Sequence, residues 1–354
     1  MAIEGLDAAR LAALAEAVEA DVASGLCRGA AIAVAQRGEV VLSRVFGEAR
    51  RGVPADGRTL WLLYSNTKVV TAAGLWALAE EGRISLTDPV ARHLPGFETG
   101  GKGGITFIEL LTHQGGFPSA AVPEAAWEDP ALLRDTVCGF ALEWEPGSRV
   151  RYHPASAHWV AAAVIRAVTG EDHRAFLRRR IIAPLGLDLF VGLPEAEHPR
   201  AADMHHEDGT QRMPECGAAH RLAGVPGGGG YATAPAMALF YQCLLAGGAP
   251  ILSRRVLDYA LRPRTGDRPD EHNGMPMHRA LGPHLRGTTD GMRGLGTLAH
   301  PLTFGHGGVG SSYCWGDPHS GVSFAFLSNT RIEDEERHVA RMERLSNLAH
   351  AAIR

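Results

Sequence analysis

Ten consecutive residues, Val69-Val70-Thr71-Ala72-Ala73-Gly74-Leu75-Trp76-Ala77-Leu78, carry no charge, and the spacing predicts a helix over Asn66 to Glu81 that is apolar around nearly its whole circumference. A helix of that kind is buried on every side. The rest of the chain must therefore be large enough to surround it. With 354 residues, 45% of them hydrophobic and 21% charged, the chain can build one large or two moderate globular domains and is too apolar for disorder. Charges nearly cancel, 35 Lys and Arg against 39 Asp and Glu for a net charge of -4, so no global field exists to hold a polyanion or an acidic membrane surface. Neither a nucleic acid nor a membrane is expected as a partner.

Around that helix the periodicity changes in an ordered way. Leu11, Leu14, Val18 and Val22 recur at helical spacing after Asp7, a good N-cap, so the first element is an amphipathic helix over Leu6 to Ala23. Ala30 to Ala35 and Val40 to Phe46 read as two strands joined through Arg37-Gly38-Glu39. Helical patterns then recur at Thr106 to Thr112, Pro130 to Phe140, Ser156 to Val168, Asp172 to Ile182 and Pro235 to Ala246, separated by loops rich in proline and glycine. From Arg262 to Leu302 the periodicity is weak, as in a functional lid or a loop carrying short strands. Strand patterns return at Thr303 to His306, Ser311 to Trp315 and Val322 to Leu327, followed by a helix over Glu335 to Ala352. The expected fold is of the α/β (α+β) class: an antiparallel sheet flanked by terminal helices and interrupted by a mainly helical insertion.

The buried helix begins with chemistry. Ser65 stands at its N-terminus and Lys68 lies three residues on, so hydroxyl and ammonium meet one turn apart. Lys68 and Lys102 are the only lysines, every other basic position being arginine. A lysine can act as a base when burial or nearby positive charge lowers its pKa, which arginine cannot do. No serine stands in a G-x-S-x-G elbow, so an α/β-hydrolase triad has no anchor here. Lys102, between Gly100-Gly101 and Gly103-Gly104, reads only as a solvated loop residue.

Other features point away from cofactors and export. Cys27, Cys138, Cys216, Cys243 and Cys314 are odd in number and scattered, as reduced structural thiols would be. His205-His206 beside Glu207 and Asp208 imitates a metal cluster, but no H-E-x-x-H is present, and neither a metal nor a cofactor is expected. The N-terminus carries Glu4 and Asp7 in place of a basic start and an apolar run, and no stretch is long enough to span a bilayer. A cytoplasmic protein is the expectation. Trp159 and Trp315 read as core, and His113 as a structural residue closing the Thr106 helix.

Several motifs together resemble the class C β-lactamase and penicillin-binding-protein-related serine hydrolases, in the branch that holds esterases, D-aminopeptidases and transesterases. Ser65-x-x-Lys68 is similar to the first motif of that family. Asp88-Pro89-Val90 through Leu94-Pro95, Ile105-Thr106 through Leu110-Leu111-Thr112-His113, Glu145-Pro146-Gly147-Ser148 with Tyr152, and Pro184-Leu185-Gly186-Leu187 resemble its further signatures. Phe304-Gly305-His306-Gly307-Gly308 resembles the third motif in its H-x-G form. The resemblance implies a β-lactamase/transpeptidase-like fold, with residues 1–64 and 225–354 as the sheet domain, residues 65–224 as the helical domain, and the active site between them. It also implies Ser65 as nucleophile, Lys68 and Tyr152 sharing general-base and general-acid duty, and the N–H groups of Ser65 and Val309 as the oxyanion hole. A tyrosine beside a lysine ammonium is expected to be driven toward phenolate. His306 is expected to line the site and to support Tyr152 through a hydrogen bond or charge.

The departures from the family pattern bear on substrate. The second motif, usually Y-x-N, reads Tyr152-His153-Pro154, so Pro154 brings no side-chain amide to the substrate; the third lacks both lysine and hydroxyl because Gly307 follows His306. Gly307 and Gly308 are expected to let a substrate approach the strand backbone, and Gly227 to Gly230 to border the pocket. These features favour a carboxylesterase on small to medium acyl esters. A D-amino-acid amidase or peptidase, a weak β-lactamase, and a catalytically silent binding or assembly protein are the alternatives. The expected partner is a small-molecule ester or amide, with an oligomer left open.

Overall fold

The computed structural model describes residues 5–209 and 213–354; Glu4, used in reading the N-terminus, lies outside them. Helix α1 (Ala8–Ala23) starts at Asp7, whose carboxylate accepts from the N–H groups of Ala9 and Arg10. It leads into a hairpin of β1 (Gly29–Gln36) and β2 (Glu39–Arg50), turned by Arg37 and Gly38. Near the other end lie β3 (Phe304–Gly308), β4 (Ser312–Asp317) and β5 (Val322–Ser328). A seven-stranded antiparallel sheet results, in the order His284–Leu285, β3, β4, β5, β1, β2, Val53–Pro54. The first and last thirds of the chain thus meet at the β1–β5 pair, with Ile32 opposite Phe326.

Alternation along β1 decides what covers the sheet. Ala30, Ile32 and Val34 face the terminal helices, where they join Leu14 and Val18 of α1 with Met342 and Leu345. Those last two belong to the C-terminal helix, Glu335–Ala351. Ala31, Ala33 and Ala35 face the opposite way, into the larger core with Met237, Phe240 and Tyr241. These small side chains let helix Ala234–Leu245 pack close on the sheet. With both faces covered, every residue of β1 up to Ala35 is buried.

The apolar helix is where the sequence placed it. It spans Thr67–Glu80, and all residues from Thr67 to Leu78 are buried against helices that include Ser156–Thr169 and His173–Leu177. Trp61–Leu62 and Leu189–Val191 pair with Gly230–Ala232 in a separate three-stranded sheet just ahead of it. The pattern left two short helices unread, Ala218–Ala223 and Arg254–Ala260. It also ran Asp172 to Ile182 as one helix, which is an α-helix to Leu177 followed by a wider π turn over Arg178–Ile182. The weakly periodic stretch from Arg262 to Leu302 does carry short strands: Pro269–Asp270 pairs with Met275–Pro276, and His284–Leu285 extends the sheet beside β3. Among the described residues no helix is long and apolar enough to cross a membrane.

Lys102 departs from its reading. It is 1% exposed, and its ammonium donates to the carbonyls of Thr99 (2.7 Å) and Phe140 (2.8 Å). The side chain turns inward instead of into water because the Phe140 carbonyl, 38 residues away, and the Thr99 carbonyl converge on its amino group.

Candidate active site

The helix does not begin directly at Ser65. Tyr64–Asn66 form a 3-10 turn ahead of it, and Tyr64 takes a positive φ of 45°, a backbone conformation that a bulky residue adopts only when its surroundings force it. The forcing contacts are visible. Leu63 donates its N–H to Gly230 O (2.8 Å), and Asn66 Nδ2 donates to Leu63 O (3.3 Å) and to Ser312 Oγ (2.9 Å) on β4. Strand β3 presses on the same turn: a Cβ at Gly308 would stand 2.4 Å from Leu63 O and 3.1 Å from Tyr64 Cβ. Gly308 is therefore required by the protein's own packing. At Gly307 a Cβ would meet the Tyr313 ring at 2.7 Å, so the openness expected of these glycines toward substrate is largely taken up by neighbours.

Ser65, Lys68 and Tyr152 converge as the motifs require. Tyr152 OH donates to Ser65 Oγ at 2.7 Å, and Lys68 Nζ lies 3.0 Å from the same oxygen. Lys68 is fully buried, and its Nζ also donates to the carbonyls of Pro154 (2.6 Å) and Gly227 (2.7 Å). Pro154, which has no side-chain amide to offer, thus contributes its backbone carbonyl to the lysine. Burial pushes Lys68 well below the usual ammonium range, and the Arg279 guanidinium adds to that effect. A neutral amine has two N–H bonds and one lone pair. Two carbonyls and one serine hydroxyl accommodate that amine, with the hydroxyl donating to its lone pair, and equally the three N–H bonds of the ammonium it becomes on taking a proton.

Tyr152 departs from its expectation. Burial pushes its hydroxyl up to about 12, outweighing the hydrogen bond to Ser65 and the nearby Arg279, so the phenol keeps its proton. His306 also differs: its ring centroid is 6.0 Å from that of Tyr152, and its Nδ1 donates to Gly307 O at 2.7 Å. Burial holds the imidazole well below its ordinary value, with His284 and Lys68 adding to the effect. It supports Tyr152 by ring packing, without charge. Its Nε2 is left as a buried acceptor with no partner among the described residues.

Val309 follows His306-Gly307-Gly308 at the end of β3 and is 46% exposed. Among the described residues, neither the Ser65 nor the Val309 N–H takes part in a turn or loop backbone hydrogen bond. Both residues, with Tyr152, Pro154, Gly227, His306, Gly307 and Gly308, line a cavity of about 640 Å³. Its lining mixes apolar side chains, among them Met275, Met277, Met292 and Val339, with charged ones that include Arg279, Arg293 and Glu335. Trp159 and Trp315 do not line it and belong to the core. Among the described residues no group of three His, Cys, Asp or Glu is arranged to hold a metal, and His206 instead meets Glu333 at 3.0 Å.

A sequence profile of the beta-lactamase family matches residues 14–349. The chain belongs to the beta-lactamase family. It is a serine hydrolase of the β-lactamase/transpeptidase-like fold, as the motifs implied. It is 29% identical over 339 residues to the esterase/beta-lactamase LipL of Mycobacterium tuberculosis, covering 85% of this chain and 77% of that protein. A penicillin-binding protein homologue from Caulobacter crescentus superposes with a TM-score of 0.85 at 30% identity, covering all of both chains. A family VIII carboxylesterase gives 0.81 at 27%, covering 98% of this chain and 99% of the other.

Several residues of the site had no readable signal. Asp270 and Arg279, both buried, come from the weakly periodic stretch; Asp270 Oδ1 accepts the N–H of Tyr152 at 2.9 Å. His113 does end its helix, with a positive φ of 61°, but it also packs its ring 4.8 Å from that of Tyr152 and accepts the His153 N–H at Nδ1 (3.1 Å). Isolated histidines and arginines in loops carry no pattern that reveals such convergence.

Proposed function

We propose that the protein is a carboxylesterase acting on small to medium acyl esters through an acyl-enzyme at Ser65. The observation that carries this reading is the convergence of the buried Lys68 amine and the Tyr152 hydroxyl on Ser65 Oγ, at 3.0 and 2.7 Å. In acylation Lys68 takes the Ser65 proton as Oγ attacks the ester carbonyl. The amides of Ser65 and Val309 hold the oxyanion. As the intermediate collapses, Tyr152 gives its proton to the leaving alkoxide and regains one from the Lys68 ammonium, the stronger acid of the two. Deacylation is that sequence reversed with water in place of the alcohol. We also propose the two-part division at residues 64 and 225, which places Ser65 and Lys68 on the helical side and His306 to Val309 on the sheet side.

Two features support esters over β-lactams: no amide at Pro154, and no lysine or hydroxyl at His306-Gly307. The test is intact-mass detection of adducts with a fluorophosphonate, followed by turnover of p-nitrophenyl butyrate, a D-amino-acid amide and a cephalosporin. Labelling that Ser65→Ala abolishes, with the ester turned over fastest, is expected. Faster turnover of the amide or the cephalosporin sinks the esterase assignment, and absence of labelling points to a silent binding protein.

A further inference from the structure

The segment from Arg262 to Leu302 places a buried ion pair against the catalytic tyrosine. Asp270 is fully buried and Arg279 is 4% exposed. Asp270 Oδ1 accepts from the N–H groups of Tyr152 (2.9 Å) and His272 (3.1 Å), while Oδ2 accepts from Arg279 Nε (2.9 Å). The backbone of Arg279 is pinned as well, its N–H donating to Thr265 Oγ1 and its carbonyl accepting from Arg264. The guanidinium carbon sits 5.1 Å from the centroid of the Tyr152 ring, and Lys68 Nζ lies at the same distance from that centroid. One carboxylate thus ties the backbone of Tyr152 to a cation held near its ring.

A buried ion pair is a poor device for stability alone, because desolvating both charges offsets most of their attraction. Here Arg279 lines the reaction cavity, and its charge acts on the one base of the proposed mechanism. We propose that Arg279, held by Asp270, is a positioning residue that fixes Tyr152 and sets the pH at which Ser65 becomes acylated. This rests on the reading of Ser65 as the acylated residue. A fixed cation near Lys68 makes the ammonium form costlier, which keeps the amine free near neutral pH. Of the charged groups around it, Arg279 is the one that acts on Lys68. Burial holds His113, His153, His158, His284 and His306 below the ordinary imidazole range, Glu335 is an acid, and His272 and Arg293 face the same cavity.

The experiment is the pH dependence of fluorophosphonate labelling and of p-nitrophenyl butyrate kcat/KM in three variants of the full chain. Arg279→Gln removes the cation. Asp270→Asn with Arg279→Met removes both charges while keeping an Oδ1 acceptor for Tyr152, which guards against a single variant that fails to fold. Arg279→Lys keeps a cation. Arg279→Gln should move the acid limb to higher pH by about one unit, the size expected for one charge in a partly polar interior, the double variant should move it the same way by less because the Asp270 charge leaves too, and Arg279→Lys stays near wild type. An unmoved limb in a folded, labelled variant overturns the inference, as does an equal shift in Arg279→Lys. Loss of labelling in the wild type instead removes the reading of Ser65, so the two failures are distinguishable.

Discussion

The two lysines of this chain are solved by the fold in nearly the same way and yet differ in kind. Each amino group is buried, and each donates to two backbone carbonyls: Pro154 and Gly227 for Lys68, the nearby Thr99 and the distant Phe140 for Lys102. What separates them is the third partner and the neighbouring charge. Lys68 has a serine hydroxyl and a buried guanidinium nearby, whereas Lys102 lies 5.5 Å from the centroid of the Phe97 ring and has no cation acting on it. Burial lowers both, but Lys68 further. Two carbonyls make a lysine a tie between loops; adding a hydroxyl and a cation makes it a base.

The largest expected effect tests that distinction at Lys68. Lys68→Arg puts a permanent cation, which cannot accept a proton, in place of the neutral amine, so kcat/KM for an ester should fall about 10³-fold, the usual worth of a general base. Near-native activity in that variant breaks the comparison. Next in size is Lys102→Met. It leaves the Thr99 and Phe140 carbonyls without their donor and should lower unfolding free energy by about 2 kcal/mol, read by urea denaturation, with kcat/KM unchanged. A loss of activity in the folded Lys102→Met variant would show that the two sites are coupled.

How much of this was legible follows from whether a residue's role is local. The apolar run of Val69 to Leu78 and the one-turn step from Ser65 to Lys68 are local, and both the helix and the contact are present. The apolar runs at Ala30 to Ala35 and Val40 to Phe46 and the strand patterns after Thr303 gave the strands of the sheet, because such runs are a property of adjacent residues. Motif order carried Tyr152, His306 and Val309 to one cavity. The proton on Tyr152 was misread because it depends on how completely the ring is desolvated, which no spacing reports. Lys102 was misread for a related reason: glycine-rich flanks suggest an exposed turn, while the carbonyls that bury the ammonium lie partly on a segment 38 residues away. Asp270 and Arg279 are nine residues apart in a stretch without periodicity, so their pairing and their reach to Tyr152 exist only in three dimensions.

The smallest expected effect is also the one that most directly separates a base from a tie. In the folded chain burial and Arg279 hold Lys68 well below 10.5, whereas in the unfolded chain it titrates near that value. Over the interval between, unfolding takes up a proton, so each pH unit below 10.5 favours the unfolded state by about 1.4 kcal/mol until the folded group is protonated too. The cost is absent above pH 10.5 and grows as pH falls. Lys68→Met removes it, at the expense of the two hydrogen bonds to Pro154 and Gly227, each worth about 1 kcal/mol. The variant should therefore be more stable than wild type at pH 7 and less stable by pH 10, where the proton cost has fallen below the loss of the two hydrogen bonds, in keeping with the usual conflict between stability and an active-site group. The same replacement at Lys102 should destabilise at both pH values. If Lys68→Met proves as destabilising at pH 7 as Lys102→Met, the lysine beside Ser65 is charged in the resting protein, and the neutral base must instead be generated when substrate binds.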